Sequence, residues 1–469
     1  MIVMKFGGSS VADATRLRQV AELVTAARAR RPVVVLSAMG KSTNQLFEAA
    51  AAAGTGDAPA ALAAAERPLA LAEATARELL SGPPLEACLT SLGAMREELA
   101  VLLRGVALLR ELTPRTRDAI VAHGERCSTT LLTALLNALP AGRGATAVQV
   151  DARRVLRTDE RFGAATPQRA EIADLAVQHI APHLAHGEIV VTEGYIGSTR
   201  GGHTTTLGRG GSDWSASLLG AALGAQEVQI WTDVEGVLTA DPRCVDGARP
   251  IPSLTPAEAA ELAAFGAKVL HPSTIQPAVD ARIPVTVRHT QRPHGGFTTI
   301  DPRHAPSRRG GVAALASRGP VTVLTMTSTR MLQASGYLAR LFGAFGQLGI
   351  SVDLIATAEV SVSCTVEPDA PLEALAELLH GHATVEVVTD RAIVAAVGEG
   401  LRQTPRLLER ACRALADLTP ELVSFGGNAR NLSFVLPAND ANRALQRLHA
   451  EFFAEPALRA PGSAAEVAT

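Results

Sequence analysis

Lysine is nearly absent from this 469-residue chain: it occurs only at Lys5, Lys41 and Lys268, against 41 arginines. Compositional bias accounts for the replacement of generic lysines by arginine, but not for the positions of the three that remain, all close to glycine. A compact ammonium suits a point contact with a phosphate oxygen among backbone N–H groups, where a planar guanidinium needs more room. Lys5 and Lys268 are therefore candidate phosphate contacts. Lys41 divides evenly between that role and a solvated loop charge.

Cysteine is also scarce. Cys88, Cys127, Cys244, Cys364 and Cys412 are widely spaced and form no C-x-x-C pair, which argues against a disulfide framework or a zinc site and for a reducing compartment. An excess of one charge is missing too, with 44 Lys and Arg against 46 Asp and Glu. Without a basic block, neither nucleic acid nor an anionic membrane is an expected partner. No stretch approaches the roughly 20 apolar residues of a membrane span, and the apolar run Ile2 to Phe6 is too short for a signal-peptide core. A cytoplasmic location is expected.

What is present is enough sequence for two or three domains, at about 150 residues each. Met1 to Phe6 reads as a buried strand, Gly7 to Ser10 as a turn and Val11 to Ala27 as a helix. Pro32 to Leu36 is a second apolar strand, as expected in a parallel sheet covered on both faces. Phe47 to Arg110 reads as a helical excursion. Further strands are expected at Thr146 to Asp151, Ile189 to Thr192, Glu227 to Thr232 and Ile283 to Val287. Helices are expected at Asp118 to Leu139, Pro167 to Ala185 and Ser215 to Leu223. This alternation predicts an α/β fold with a mainly parallel sheet sandwiched by helices over residues 1–300. Residues 301–319, rich in Arg, Gly, Pro and Ser, read as a linker. Residues 320–390 and 391–455 repeat a βαββαβ order, or nearly so, and predict two ferredoxin-like α+β modules; 456–469 reads as a flexible tail.

The motifs sit where such a fold binds ligands. Lys5-Phe6-Gly7-Gly8-Ser9-Ser10 joins a strand to a helix, where glycines admit a phosphate and the helix start offers free N–H groups. Gly40-Lys41-Ser42 is not a P-loop, because the required first glycine would fall at Val35. Thr204 to Asp213 packs hydroxyls, glycines, Arg209 and Asp213 before a helix, which suits an anion-holding loop. Trp231 to Gly236 ends a strand, the usual ligand position in open α/β sheets. His271, in the Phe265 to Pro272 segment, has equal claims to packing on Pro272 and to acting.

Together, Lys5 to Ser10, His123-Gly124-Glu125, Thr204 to Asp213, Thr232-Asp233-Val234, Asp241-Pro242-Arg243 and Phe265 to Pro272 resemble aspartate kinase, of the amino acid kinase superfamily. The resemblance spans essentially the whole chain in the expected order. The C-terminal modules resemble ACT domains, and Met331-Leu332, Gly336 and Ser351 to Ile355 resemble the monofunctional, lysine-sensitive type.

The resemblance implies transfer of the ATP γ-phosphoryl group to the β-carboxylate of L-aspartate, giving 4-phospho-L-aspartate, the opening step toward lysine, threonine and methionine. Such a carboxylate is already ionised at neutral pH and needs no general base. By resemblance, Lys5 contacts the β- and γ-phosphates, Gly7, Gly8 and Ser9 form the anion cradle, and Asp213 orients Lys5. Arg209 grips a substrate carboxylate, Glu125 receives the α-ammonium, and Thr43 and Ser212 complete the pocket. On the residues alone, Glu125 could otherwise be a solvated carboxylate at a helix start. Thr232, Asp233, Leu238, Arg243, Lys268 and Val269 match positions associated with ATP, although Leu238 stands where related enzymes often have tyrosine. Mg²⁺ is expected to ride on the phosphates, with no dedicated metal cage in the protein. Met331, Gly336, Ser351, Val352, Asp353 and Glu359 match a lysine-binding pattern, whereas Ala334 and Ala358 replace typical serines. The resemblance also implies a homodimer or tetramer formed through the ACT-like modules. A kinase for glutamate or N-acetylglutamate and a non-catalytic effector-binding scaffold are the competing readings.

Overall fold

The computed structural model describes residues 1–140, 146–266, 270–303, 311–332 and 334–453. These fall into two compact units: Met1–Val237 with Pro252–Pro256 and Val269–Ala305, and Leu238–Ile251 with Ala257–Lys268 and Pro306–Thr469. Lys268, Val269, residues 304–310 of the expected linker and the expected tail lie outside the described residues.

The first unit opens with β1 (Ile2–Phe6), α1 (Ala14–Ala26) and β2 (Pro32–Leu36). Three long helices follow, α2 (Ser42–Gly54), α3 (Ala58–Leu79) and α4 (Gly82–Leu109), then α5 (Pro114–Val121) and α6 (His123–Ala138). Next come β3 (Ala147–Gln149), α7 (Arg169–His179), α8 (Ala181–Ala185), β4 (Ile189–Glu193), the hairpin β5 (Ile196–Ser198) and β6 (Thr204–Thr206), α9 (Gly211–Leu223) and β7 (Val228–Thr232). The unit is completed by β8 (Ser253–Leu254), α11 (Pro272–Asp280), β9 (Val285–His289) and β10 (Thr298–Ile300), while α10 (Pro256–Ala264) groups almost entirely with the second unit.

The main sheet has the order β3-β4-β2-β1-β7-β9-β10-β8 and is parallel from β3 to β9, with β10 antiparallel to β9. Its central strands, Ile-Val-Met-Lys-Phe and Pro-Val-Val-Val-Leu, are buried along their whole length. A strand with helices on both faces has no solvent side and needs no polar alternation. Phe6, Met4 and Leu36 pack with Leu17, Val20, Leu46 and Leu132 in one core, and the Phe6 and Trp231 rings stack at 5.8 Å.

Several boundaries differ from the sequence expectation. The helix expected at Asp118 to Leu139 is two helices that meet at Ala122, so Glu125 falls in the first turn of α6. Thr204–Thr206 is a strand paired with β5 rather than loop, and α9 starts at Gly211, which puts Ser212 and Asp213 in its first turn. Ser42 and Thr43 lie in the first turn of α2.

The second unit holds β11 (Ala314–Thr327), α12 (Tyr337–Gln347), β12 (Val352–Thr357), β13 (Ser361–Val366), α13 (Leu372–Leu379) and β14 (Thr384–Val397). It ends with α14 (Leu407–Ala414), β15 (Leu422–Phe425), β16 (Asn431–Pro437) and α15 (Ala441–Phe453). All six strands form one antiparallel sheet, β12-β13-β11-β14-β16-β15. The two long strands serve both modules. Thr322 to Thr327 pairs with β13 and with the first half of β14, whereas Ala314 to Arg318 pairs with Ile393 to Val397, which in turn pairs with β16.

This corrects the linker assignment: residues 314–319 are strand, and Ala314 to Arg318 supplies the fourth strand that the second βαββα copy lacks. Leu238 to Ile251 and the α10 region also leave the first domain of the sequence reading. The cause is packing, since Ala240 and Val245 are buried in the core built by Leu315, Leu407, Phe434 and Leu445.

Candidate active site

The C-terminal ends of β1, β2, β4 and β7 release, in turn, the lysine turn, the Ser37 to Lys41 loop, the Gly194-Tyr195 corner and Thr232-Asp233. Crevices beyond the carboxyl ends of parallel strands are where open α/β sheets hold ligands. A cavity of about 680 Å³ lies there in the first unit. Its wall includes Lys5, Gly8, Lys41, Thr43, Glu125, Arg209, Ser212 and Asp213. The sequence-predicted substrate set and the catalytic pair thus share one cavity, and Lys41 joins Lys5 on its lining.

Lys5 is the one charged residue of a buried central strand, and its ammonium emerges 2.6 Å from the carboxylate of Asp213. Both side chains are nearly buried, so this pair is screened far less than a surface ion pair. Gly7 donates its backbone N–H to the Trp231 carbonyl at 3.1 Å, which ties the turn after β1 to β7. Ser10 reinforces that joint through Thr290 Oγ1 at 2.7 Å. Ser9 is held through its carbonyl, which accepts from Arg16 Nη1 at 2.7 Å.

Glu125 is 2% exposed. One carboxylate oxygen accepts the Ala38 N–H at 3.2 Å, and the other has no partner among the described residues. Burial pushes this carboxyl up to about 8, helped by the nearby Glu193. Glu193 is itself raised by burial, while Thr129 Oγ1, Gln149 Nε2 and the Ala152 N–H donate to it at 2.8 to 2.9 Å. A buried acid with one open oxygen is poised to take a cation, because a cation restores the charged form that desolvation disfavours.

Arg209 is exposed on the cavity rim and has no ion-pair partner among the described residues. Ser212 accepts the Ser37 hydroxyl at 3.0 Å, and the Ser37 carbonyl accepts Ser128 Oγ at 2.8 Å. Thr232 Oγ1 donates to Asp233 Oδ1 at 3.1 Å at the end of β7.

In the second unit, Leu238 bridges to Pro250, and Arg243 is exposed with its guanidinium engaged by Asp241 at 2.6 Å. Met331 precedes α12, Gly336 caps it with φ +77°, and Ser351 and Val352 lie at the start of β12. Asp353 Oδ1 pairs with Arg318 Nη1 at 2.7 Å, whereas Oδ2 is buried without a hydrogen-bond partner among the described residues. Glu359 is exposed in the turn between β12 and β13. Sequence reasoning missed Tyr195 and Gly163 on the cavity wall, because neither lies in a motif with a chemical signature.

A parallel α/β sheet with an ion-paired lysine at its ligand-binding edge, followed by paired ACT-type modules, defines a small-acid kinase with a regulatory tail. The amino acid kinase family matches residues 1–289, and the ACT domain matches 324–380 and 394–452. The lysine-sensitive aspartokinase 3 of Escherichia coli is 38% identical over 97% of this chain and 99% of its own. Two crystal structures of Escherichia coli aspartokinase III superpose along 97% of the chain. One, in complex with lysine and aspartate, has a TM-score of 0.78 at 37% identity and 99% coverage of that chain. The other, in complex with aspartate and ADP, has a TM-score of 0.79 at 36% identity and 100% coverage.

The chain belongs to the aspartokinases, within the amino acid kinase family, and is an aspartate kinase. The fold, family and activity expected from its motifs therefore hold. No helix among the described residues is long and apolar enough to cross a membrane.

Proposed function

We propose that the cavity binds L-aspartate between Glu125 and Arg209 and holds the ATP triphosphate at the Lys5 turn. The observation that carries this reading is the coexistence, on one wall, of a committed cation, Lys5 with Asp213, and two groups without an ionic partner among the described residues, the Glu125 carboxyl with its open Oε2 and the Arg209 guanidinium. The α-ammonium of aspartate neutralises Glu125, Arg209 pairs with a substrate carboxylate, and Thr43 and Ser212 supply hydroxyls to the same pocket.

The β-carboxylate then attacks the γ-phosphorus in line. Lys5 stabilises the charge on the transferring group while Asp213 fixes the direction of its ammonium, and Gly7, Gly8 and Ser9 let the phosphates approach backbone N–H groups. Thr232 and Asp233 receive the nucleoside end. For Leu238, Arg243, Lys268 and Val269 a nucleotide role rests on motif resemblance alone. Mg²⁺ brought in with ATP would supply charge neutralisation at the triphosphate, a mode that needs few protein ligands.

Lysine is the proposed effector, with Met331, Gly336, Ser351, Val352, Asp353 and Glu359 as its contacts. Asp353 Oδ2 is the buried open acceptor that supports a cationic ligand. The active form is proposed to be a homodimer or tetramer paired through the ACT modules, for which the unpaired edge of β12 offers backbone groups.

The test is ADP release from Mg-ATP with L-aspartate, L-glutamate or N-acetyl-L-glutamate, with acyl phosphate trapped as hydroxamate. Aspartate-dependent hydroxamate with little from the longer acids supports the reading. Equal turnover of glutamate would remove the pocket assignment.

A further inference from the structure

Asp118 is 1% exposed and lies on α5, a helix that contributes nothing to the cavity lining given above. Its carboxylate is filled from two remote parts of the chain. Oδ2 accepts the backbone N–H groups of Gly163 and Thr206, each at 2.8 Å, and Oδ1 accepts Thr206 Oγ1 at 2.9 Å. A buried carboxylate that receives two main-chain donors and a hydroxyl is a strong, directional clamp.

Both clamped segments reach the cavity. Gly163 sits on its wall, in a turn with φ +88° where a Cβ would meet Arg117 Nη2 at 2.7 Å. Thr206 ends β6, three residues before Arg209. The two segments are also bonded to each other, because the Ala165 N–H donates to the Thr206 carbonyl at 2.9 Å. Gly208 lies so near that a Cβ there would stand 3.3 Å from the Gly163 carbonyl oxygen.

We propose that Asp118 is a positioning residue for the amino-acid substrate: by clamping Gly163 to Thr206 it fixes the loop that carries Arg209. The inference rests on the assignment of Arg209 to a substrate carboxylate made above. Asp118 touches no reactant. Its effect falls on the acid-binding half of the cavity and not on the phosphate turn at Lys5.

The chemistry predicts an unequal response to substitution. In Asp118→Asn the amide oxygen can take the Oδ2 position and keep both N–H bonds, while the amide N–H₂ donates to Thr206 Oγ1, whose hydroxyl turns to accept. Asp118→Ala leaves the buried Thr206 N–H and the half-buried Gly163 N–H without their acceptor and frees both segments.

The experiment measures initial rates with aspartate and Mg-ATP varied independently for Asp118→Ala, Asp118→Asn, Thr206→Val and Arg209→Ala in the full chain. Asp118→Ala is expected to raise KM for aspartate about 10- to 100-fold, with KM for ATP within about twofold and with Asp118→Asn close to the parent. A loss of folded protein alone would lower kcat and leave both KM values in place, and that outcome overturns the proposal. If Asp118→Ala does not fold, Thr206→Val reads the same KM split through loss of one clamp bond, and an unchanged aspartate KM there also overturns it. An elevated aspartate KM in Arg209→Ala but not in the clamp variants removes only the role of Asp118. An unchanged aspartate KM in Arg209→Ala removes the pocket assignment and this inference with it.

Discussion

Lys5 Nζ lies 2.6 Å from Asp213 Oδ1, joining a buried central strand to the first turn of α9. Asp213 fixes the ammonium in space, so the charge needs no reorganisation when phosphate arrives. Lys5→Ala is expected to lower kcat by about 10³-fold. Lys5→Arg should fail as well, since a bulkier guanidinium must fit beside Gly7, whose α-carbon is close enough that a Cβ would stand 3.6 Å from Nζ. Asp213→Asn should reduce kcat with a smaller change in the aspartate KM. Hydroxamate formation at saturating substrates reads all three, and a Lys5→Ala enzyme as fast as the parent would sink the assignment.

Glu125 gives a pH signature. With its carboxyl pushed up to about 8 by burial, the ligand-free site is mostly protonated at pH 7. Pairing with the substrate ammonium requires the ionised form, so aspartate binding should release close to one proton, about 0.9, at pH 7 and almost none above pH 9. Calorimetry in buffers of different ionisation enthalpy measures it, and buffer-independent heats at pH 7 would count against the role.

The same group sets a sign for stability. Its pKa is raised on folding from an ordinary 4.5, so the folded state binds the extra proton between these values. The contribution is fully present below about pH 4.5 and is lost as pH rises through about 8. Glu125→Gln should remove that decline from the pH dependence of the melting temperature, while abolishing the proton release. A decline of the same size in Glu125→Gln would assign it to another group.

Gly8 is required for a steric reason. A Cβ at this position would meet the Ala38 carbonyl oxygen at 2.8 Å and the Gly40 carbonyl oxygen at 3.2 Å, both main-chain atoms that cannot rotate away. Gly8→Ala must therefore part the lysine turn from the Ser37 to Lys41 loop. We expect a fall in kcat/KM for ATP of about 10- to 100-fold, with far-UV circular dichroism unchanged. A loss below twofold would show that the two turns move freely.

Lysine should bind the ACT modules more weakly than a site with serines at 334 and 358 would allow. Each missing hydroxyl costs on the order of 1 kcal/mol, so Ala334→Ser with Ala358→Ser should tighten binding by about 10- to 30-fold. Asp353→Ala should abolish the heat of lysine binding. If titration of the parent gives no heat and millimolar lysine leaves activity unchanged, lysine is not the effector.

The parts legible in sequence are those whose cause is local. β1, its glycine turn and α1 could be read because a continuous apolar strand, small residues and a helical period follow one another within about 25 residues. β6 could not, since Thr204–Thr206 looks like a hydroxyl-rich loop and becomes strand only against Ile196–Ser198. Glu125 was visible as a motif, but its burial depends on Ala38, Thr129 and Glu193 from other elements. Asp118 carried no signal at all: within Pro114–Val121 it is one polar residue on a short helix, and its meaning lies 45 and 88 positions away. Ala314 to Arg318 reads as linker for the same reason, because its strand partners begin beyond residue 390.

That last pairing has a consequence for inheritance. The first ACT module sits, in chain order, inside the second, and β11 and β14 are spliced through both. A truncation, recombination joint or graft placed between Ala314 and Val397 cuts hydrogen-bond ladders in two modules at once. The pair can be exchanged between proteins only whole, and a mutation that loosens either long strand is felt by both halves of the sensor.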